Sequence, residues 1–200
     1  MLTRLKQWRD RHEKARSLYG SIVTQARSRG FYAHWGVPDT PEGRFETIAL
    51  HLVLVLRRLG QAGAPGARLG RALTEAFAVD LDDNLREMTV GDLAVPRHVK
   101  RAVGALHERH TLYLSALADA DDAPLAAAIE ARLASAGANG GLDVRSICAY
   151  IRQARRCLDE MPGAEVLAGH LTWPQTDAVE CDVQRDAGDA RQVTEGEDVR

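Results

Sequence analysis

Apolar residues recur every three or four positions along most of the chain, and no convincing stretch longer than four residues alternates apolar with polar. This period places apolar side chains on one face of an α-helix, whereas half-buried strands need a period of two. The most apolar stripe runs from Phe45 to Leu59, and Leu54 and Val55 extend it beyond one face. We therefore predict an all-α protein of about six to eight helices with this segment as the buried central helix.

Glycine, proline and acidic residues divide the pattern into segments. Residues 2–26 read as one helix or as two helices broken near Gly20. The glycine-rich stretch Gly60–Gly70 predicts a flexible connection, and Pro96 predicts the first turn of a later helix. The remaining predicted helices are Arg68–Arg86, Leu125–Leu133, Leu142–Leu158 and a short one over Val166–Trp173.

We predict a single compact multi-helix domain over residues 1–173 and a disordered acidic tail over residues 174–200, since the tail is poor in apolar residues. The net charge of -2 conceals eight Lys or Arg against two acids in residues 1–29, and eight acids against three Arg in the tail. Opposite charge at the two ends is typical of solvated termini, and it also suits contact with a ribosome or a membrane surface.

Hydrophobic segments and cysteines restrict where the protein works. The longest apolar run, Ile48–Leu56, contains His51 and is about half as long as a membrane-spanning helix needs. The three cysteines include no CxxC pair, so we expect neither a disulfide framework nor a zinc site. The sequence predicts a soluble cytoplasmic protein, and contact with a membrane from the cytoplasmic side is an alternative.

The segment FYAHWGVPDTPEGRF, residues 31–45, interrupts the helical pattern with four aromatic residues, two prolines and two glycines. Pro38 and Pro41 remove backbone donors and disfavour helical geometry before them, so we predict a loop. A second break, LREMTVGDLAVP at residues 85–96, is a predicted helix-loop-helix corner. Its charges, Arg86, Glu87 and Asp92, are candidates to pair with Asp39, Glu42, Arg44 and Glu46 of the first loop.

Catalytic, nucleotide and metal motifs are absent from the sequence. There is no GxSxG, no Gly-Lys-Ser/Thr, and the acidic cluster that begins at Asp80 lacks the Gly and Glu that a calcium loop requires. His98, His107 and His110 could share a helix face, but HERH is not HExxH. We predict no enzyme activity, no cofactor, no metal and no sequence-specific nucleic-acid binding, with a metal- or haem-handling protein using these histidines and His51 as an alternative.

The two interruptions resemble the motifs of the ubiquinol-cytochrome c chaperone family, the assembly factors of respiratory complex III. The resemblance covers roughly residues 15–118 and departs from the family at Thr89, where Gly is usual, and in LHERH at residues 106–110. The matching positions are Tyr19, Ile22, Val23, Ala26, Arg27, Phe31, Tyr32, GVPDTPEGRFE, Leu50, His51, DDNLREM, VGDL, Val95, Pro96 and Lys100.

This resemblance implies an all-α, non-enzymatic assembly chaperone that binds newly made cytochrome b. It also implies, for mitochondrial relatives, a small partner subunit and work beside the ribosome. A generic helical adaptor with an unrelated client is a further alternative. The predicted client-binding residues, if the first loop is an exposed contact surface, are Phe31, Tyr32, Trp35, Asp39, Arg44, Arg86, Glu87, Asp92 and Lys100. Alternatively the aromatics fold inward and the ion pairs only brace the corners.

Overall fold

A computed structural model describes residues 2–87, 94–138 and 140–176. Within these ranges the chain forms seven α-helices and one π-helical turn, with no strand, which confirms the predicted all-α class. The elements are α1 Leu2–Ala26, the π-helical turn Gly30–His34, α2 Pro41–Gly60, α3 Gly63–Glu87, α4 Val95–Ala118, α5 Ala123–Ser135, α6 Val144–Glu160 and α7 Gly163–Ala168.

Helix α2 lies at the centre of the protein, as its broad apolar surface predicts. It packs against α1, α3, α4, α5 and α6, and every residue from Ala49 to Val55 is buried. Its start follows from local chemistry, because the Thr40 hydroxyl accepts a hydrogen bond from the Gly43 amide and Pro41 occupies the first turn. Five of the six other helices therefore contact this one element, whereas α7 packs against α3.

Helix α1 is continuous through Gly20, so the alternative of two helices is wrong. Its inner face carries Ala15, Leu18 and Ile22, all fully buried, and it packs mainly against α3. Tyr19 fixes this pair, since its hydroxyl donates to the Asp80 carboxylate at 2.8 Å. Residues 4–10, by contrast, are all exposed.

The predicted flexible connection Gly60–Gly70 is wrong. Helix α2 continues to Gly60 and α3 already begins at Gly63, with Pro65 in its first turn, where the missing amide costs no hydrogen bond. Gly66 is needed for the close approach of α3 to α2, because a Cβ there would overlap the carbonyl of Leu59. Gly66 therefore serves helix packing and not chain flexibility.

The later elements follow the predicted order with shifted bounds. Pro96 lies in the first turn of α4 as predicted, and the Asp143 side chain caps α6 by accepting from the Ser146 amide. The last helix lies earlier than predicted and ends at Gly169, whose φ of 97° is left-handed. Of the predicted tail, Pro174 and Thr176 are buried, and residues 177–200 lie outside the described residues.

Candidate functional site

The aromatic segment is more regular than the predicted loop. Residues 30–34 form a π-helical turn that closes with the Trp35 amide donating to the Gly30 carbonyl at 2.9 Å. Gly36 then adopts a left-handed φ of 71°, and the Trp35 carbonyl accepts from the Asp143 amide at the start of α6. The turn therefore carries its aromatic side chains to the first half of α2 and to α6.

Four aromatic residues and one histidine pack here into what we call the aromatic cluster: Phe31, Trp35, His51, Tyr150 and Trp173. The Phe31 ring lies edge-on to both Trp35 and Tyr150, with centroid distances of 5.0 Å. Phe31 and Trp35 are each 1% exposed. Edge-to-face packing of this kind stabilises a core beyond the burial of apolar area.

His51 supplies the polar centre of the aromatic cluster. Its Nδ1 lies 2.7 Å from the Thr47 carbonyl of its own helix, and its Nε2 lies 2.9 Å from the Tyr150 hydroxyl. A carbonyl can only accept, so Nδ1 donates and Nε2 accepts from Tyr150. Burial lowers the pKa of His51 to about 4, which keeps the ring neutral. His51 therefore links α2 to α6.

The predicted client-binding residues of the first loop occupy two different environments. Phe31 and Trp35 face the core, and half-buried Tyr32 donates to the Ala26 carbonyl at 2.9 Å. Asp39 and Arg44 are exposed and pair with each other at 2.7 Å, and this contact lowers the pKa of Asp39. Client binding by these residues stays a prediction, and the burial of the two aromatics fits the alternative in which they serve the architecture.

The second corner contributes exposed charges. Arg86 and Glu87 end α3, with Arg86 bonded to Asp82 one turn earlier, and Lys100 is exposed on α4. Asp92 lies outside the described residues, so its predicted pairing is not tested.

Glu46 was a candidate for pairing between the corners, and it instead forms a buried ion pair with Arg109 of α4. Their side chains are 6% and 12% exposed, and the Arg109 guanidinium also lies over the Phe45 ring, 5.5 Å from its centroid. The hydrogen bonds to Glu46 raise the pKa of Arg109. This pair ties α4 to the first half of α2.

A concave apolar surface between α2, α3 and α4, which we call the groove, was not predicted from the sequence. Its volume is about 610 Å³. The α3 side includes four small residues, Gly66, Ala67, Gly70 and Ala78, and the facing sides include the larger Leu56 and Val103. The remaining lining residues are Leu56, Leu59, Gly60, Arg71, Thr74, Glu75, Val103, Leu106, His107 and His110.

The spacing of these small residues could have indicated the groove. Gly66, Gly70 and Ala78 recur at multiples of four, which places them on one face of a helix. Side chains of this size leave a hollow between the three helices, over Leu59 and Leu106, which are themselves buried. At about 610 Å³ the groove is larger than two concavities beside α1, which measure about 180 Å³ and about 320 Å³.

The histidines of α4 do not assemble a metal site with their described neighbours. His107 is exposed, and burial together with the neighbouring His107 lowers the pKa of half-buried His110. The described residues contain no group of three or more His, Cys, Asp or Glu side chains placed to hold a metal ion. Nor does any described helix combine the length and apolar content that a membrane crossing requires.

Comparisons with known proteins agree with this architecture. A family model described as ubiquinol-cytochrome C chaperone matches residues 33–173. The chain is also similar to the crystal structure of the Cbp3 homolog from Brucella abortus, with 30% sequence identity and a TM-score of 0.76. That match covers 88% of this chain and 98% of the other. No curated protein matches the sequence.

Proposed function

This chain belongs to the ubiquinol-cytochrome c chaperone family, and we propose from that membership that it binds newly made cytochrome b before cytochrome b joins complex III. The family match is the observation that carries the proposal. The activity is binding without chemical turnover, at the cytoplasmic side of the inner membrane. A small partner subunit and the ribosome remain proposed further partners.

The groove is the surface we propose for client contact. An unassembled membrane protein exposes apolar side chains that would otherwise face lipid or a partner subunit, and such side chains gain free energy when they leave water. The groove offers accessible apolar surface from Leu56, Ala67 and Val103, and Leu59 and Leu106 lie buried beneath it. His107 and Glu75 add polar groups along it. A concave, mostly apolar surface with few polar groups is typical of a binding site.

The exposed charges of the two corners complete the proposal. Asp39, Arg44, Arg86, Glu87 and Lys100 lie on the surface, where charged groups guide the orientation and rate of association more than its strength. Phe31 and Trp35 are proposed to hold the fold behind this surface, because contact with a client would first require the aromatic cluster to open.

Crosslinking of the tagged protein in its native membranes, followed by mass spectrometry, tests the proposal. We expect the parent to recover cytochrome b. The variant Ala67→Glu places a charge in the groove, and the unfavourable transfer of that charge into an apolar contact should lower recovery about tenfold. Ala127→Glu on α5 is the matched control, because Ala127 is also exposed but lies outside the groove.

Further measurements test the client and the contact surface separately. A deletion strain should contain less cytochrome b and less complex III, and normal cytochrome b in that strain would contradict the proposed function. If Ala67→Glu recovered as much cytochrome b as the parent, the groove would be excluded as the contact surface. Cytochrome b would remain the proposed client. Capture of an unrelated protein would favour a generic adaptor, and bound metal or haem absorbance in the purified protein would favour the metal-handling alternative.

A further inference from the structure

Helix α1 carries two large apolar side chains on the surface. Leu5 is 59% exposed and Trp8 is 48% exposed, whereas most large apolar residues of the described chain are buried or half-buried. The two residues are three positions apart, so they are neighbours on the same side of the helix. The Trp8 ring packs against His12, with centroids 3.9 Å apart, which fixes its position.

Basic side chains surround this apolar pair. Trp8 lines a pocket of about 180 Å³ between α1 and α3 together with Arg11, Arg68 and Arg71. The one carboxylate of the pocket, Glu75, bonds His12 at 3.1 Å. None of the three arginines has an ion-pair partner among the described residues. The adjoining exposed residues Arg4, Lys6 and Arg9 add positive charge.

We propose that the surface formed by Leu5, Trp8, Arg11, Arg68 and Arg71, here called the α1–α3 surface, binds the anionic headgroups of a lipid bilayer. The unpaired guanidinium groups contact lipid phosphates, while Trp8 lies at the headgroup level and Leu5 reaches the acyl boundary. Nucleic-acid phosphates would suit the arginines equally well. The exposed aliphatic side chain favours lipid, because burial of Leu5 requires an apolar phase that a phosphate backbone does not offer.

Flotation of the purified full chain with protein-free vesicles tests this surface without any client. We expect binding to vesicles that contain phosphatidylglycerol, little binding to phosphatidylcholine alone, and weaker binding as salt is added. The double variant Arg68→Ala and Arg71→Ala should weaken binding roughly 30-fold, since each basic residue near an anionic surface contributes a factor of about five. Leu5→Ala with Trp8→Ala should weaken it about tenfold, because less apolar area inserts.

The matched control is Arg145→Ala with Arg156→Ala, which removes two exposed charges from α6. That helix packs mainly against α2 and α5, away from the α1–α3 pair, so binding should change by less than about threefold. An equal loss in the control would overturn the proposal, as would full binding by the Leu5 and Trp8 variant. The proposal would also be overturned if the protein bound a homopolymeric RNA and not vesicles. Self-association that Trp8→Ala abolishes would overturn it as well. Each variant is first checked for helical content by circular dichroism.

Failure of this test is separate from failure of the proposed function, because the vesicles contain no cytochrome b. If the protein captured cytochrome b but did not bind vesicles, only the lipid-binding role of the α1–α3 surface would be contradicted.

Discussion

The aromatic cluster and the groove both lie against α2, and both are apolar, yet the first is closed and the second is open. The cluster is filled by Phe31, Trp35 and Tyr150, whose rings pack edge to face and leave Trp35 at 1% exposure. The groove has glycine and alanine along its α3 side and retains a volume of about 610 Å³. Side-chain size therefore decides which surface of the central helix is available to another molecule.

The closed state of the aromatic cluster predicts the largest effect. Trp35→Ala removes a fully buried ring, and the cavity left behind should lower the free energy of unfolding by about 4 kcal/mol in urea denaturation. Trp8→Ala is a matched control, since Trp8 is half-exposed and its loss should cost about 1 kcal/mol or less. If both substitutions had the same small effect, the cluster would not be the closed core described above.

The ion pair beside the groove predicts the next effect. Arg109→Met leaves the Glu46 carboxylate buried without its partner and should cost about 3 kcal/mol, measured in the same denaturation. Addition of Glu46→Gln should recover part of this loss, because no unpaired charge then remains. Arg101→Met, at an exposed position on the same helix, should change stability little. A decrease in the free energy of unfolding below about 1 kcal/mol for Arg109→Met would show that this ion pair contributes little to holding α4 against α2.

The aromatic cluster should also respond to acid. His51 has a pKa of about 4 in the folded protein and an ordinary value near 6.5 when unfolded, so the unfolded state binds more protons between these values. Stability is therefore unaffected by His51 above about pH 6.5 and falls as the pH drops toward 4, by about 2 kcal/mol at pH 5.

The variant His51→Gln isolates this contribution. It should be less stable than the parent at neutral pH, because the link to Tyr150 is weakened. Its stability should fall less than that of the parent as the pH drops from 6.5 toward 4, because the contribution of His51 is absent. Equal pH dependence of the two proteins, measured as denaturant midpoints, would show that His51 does not remain neutral in the cluster.

The groove predicts the smallest change in stability. Ala67→Glu should alter the free energy of unfolding by no more than about 0.5 kcal/mol, because the residue is exposed and fills no space in the core. The same substitution should lower the fluorescence of an apolar dye bound to the native protein, and Ala127→Glu should not. A large loss of stability with Ala67→Glu would indicate that the groove is closed, like the aromatic cluster.

The sequence was most informative where local chemistry decides the outcome. The apolar period predicted α2 as the central helix, and Pro96 marked the first turn of α4. It was least informative between Gly60 and Gly70, because a glycine-rich sequence is compatible both with a flexible connection and with a closely packed helix. The overlap that a Cβ at Gly66 would make with Leu59 is visible only once α2 and α3 are placed side by side.

For the candidate site, too, the sequence indicated the local feature but not how it packs. The segment of residues 31–45 was correctly identified as unusual, but its composition allowed both an exposed surface and a buried plug. The π-helical turn favours the buried arrangement, because it directs Phe31 and Trp35 toward α2 and α6. The groove was missed because its walls come from three helices, and the spacing of small residues on α3 indicates one wall without showing which residues face it.

By itself, the sequence determined that this protein is built of helices, which of them is most buried, and the family motifs it carries. The tertiary structure alone decided that His51 meets Tyr150, 99 residues away, and that Glu46 meets Arg109, 63 residues away. It also decided that one apolar surface of α2 is filled and another is open. The physical reason is that periodicity fixes which face of a helix avoids water, whereas the partner of that face depends on the sizes of side chains that are distant in the chain.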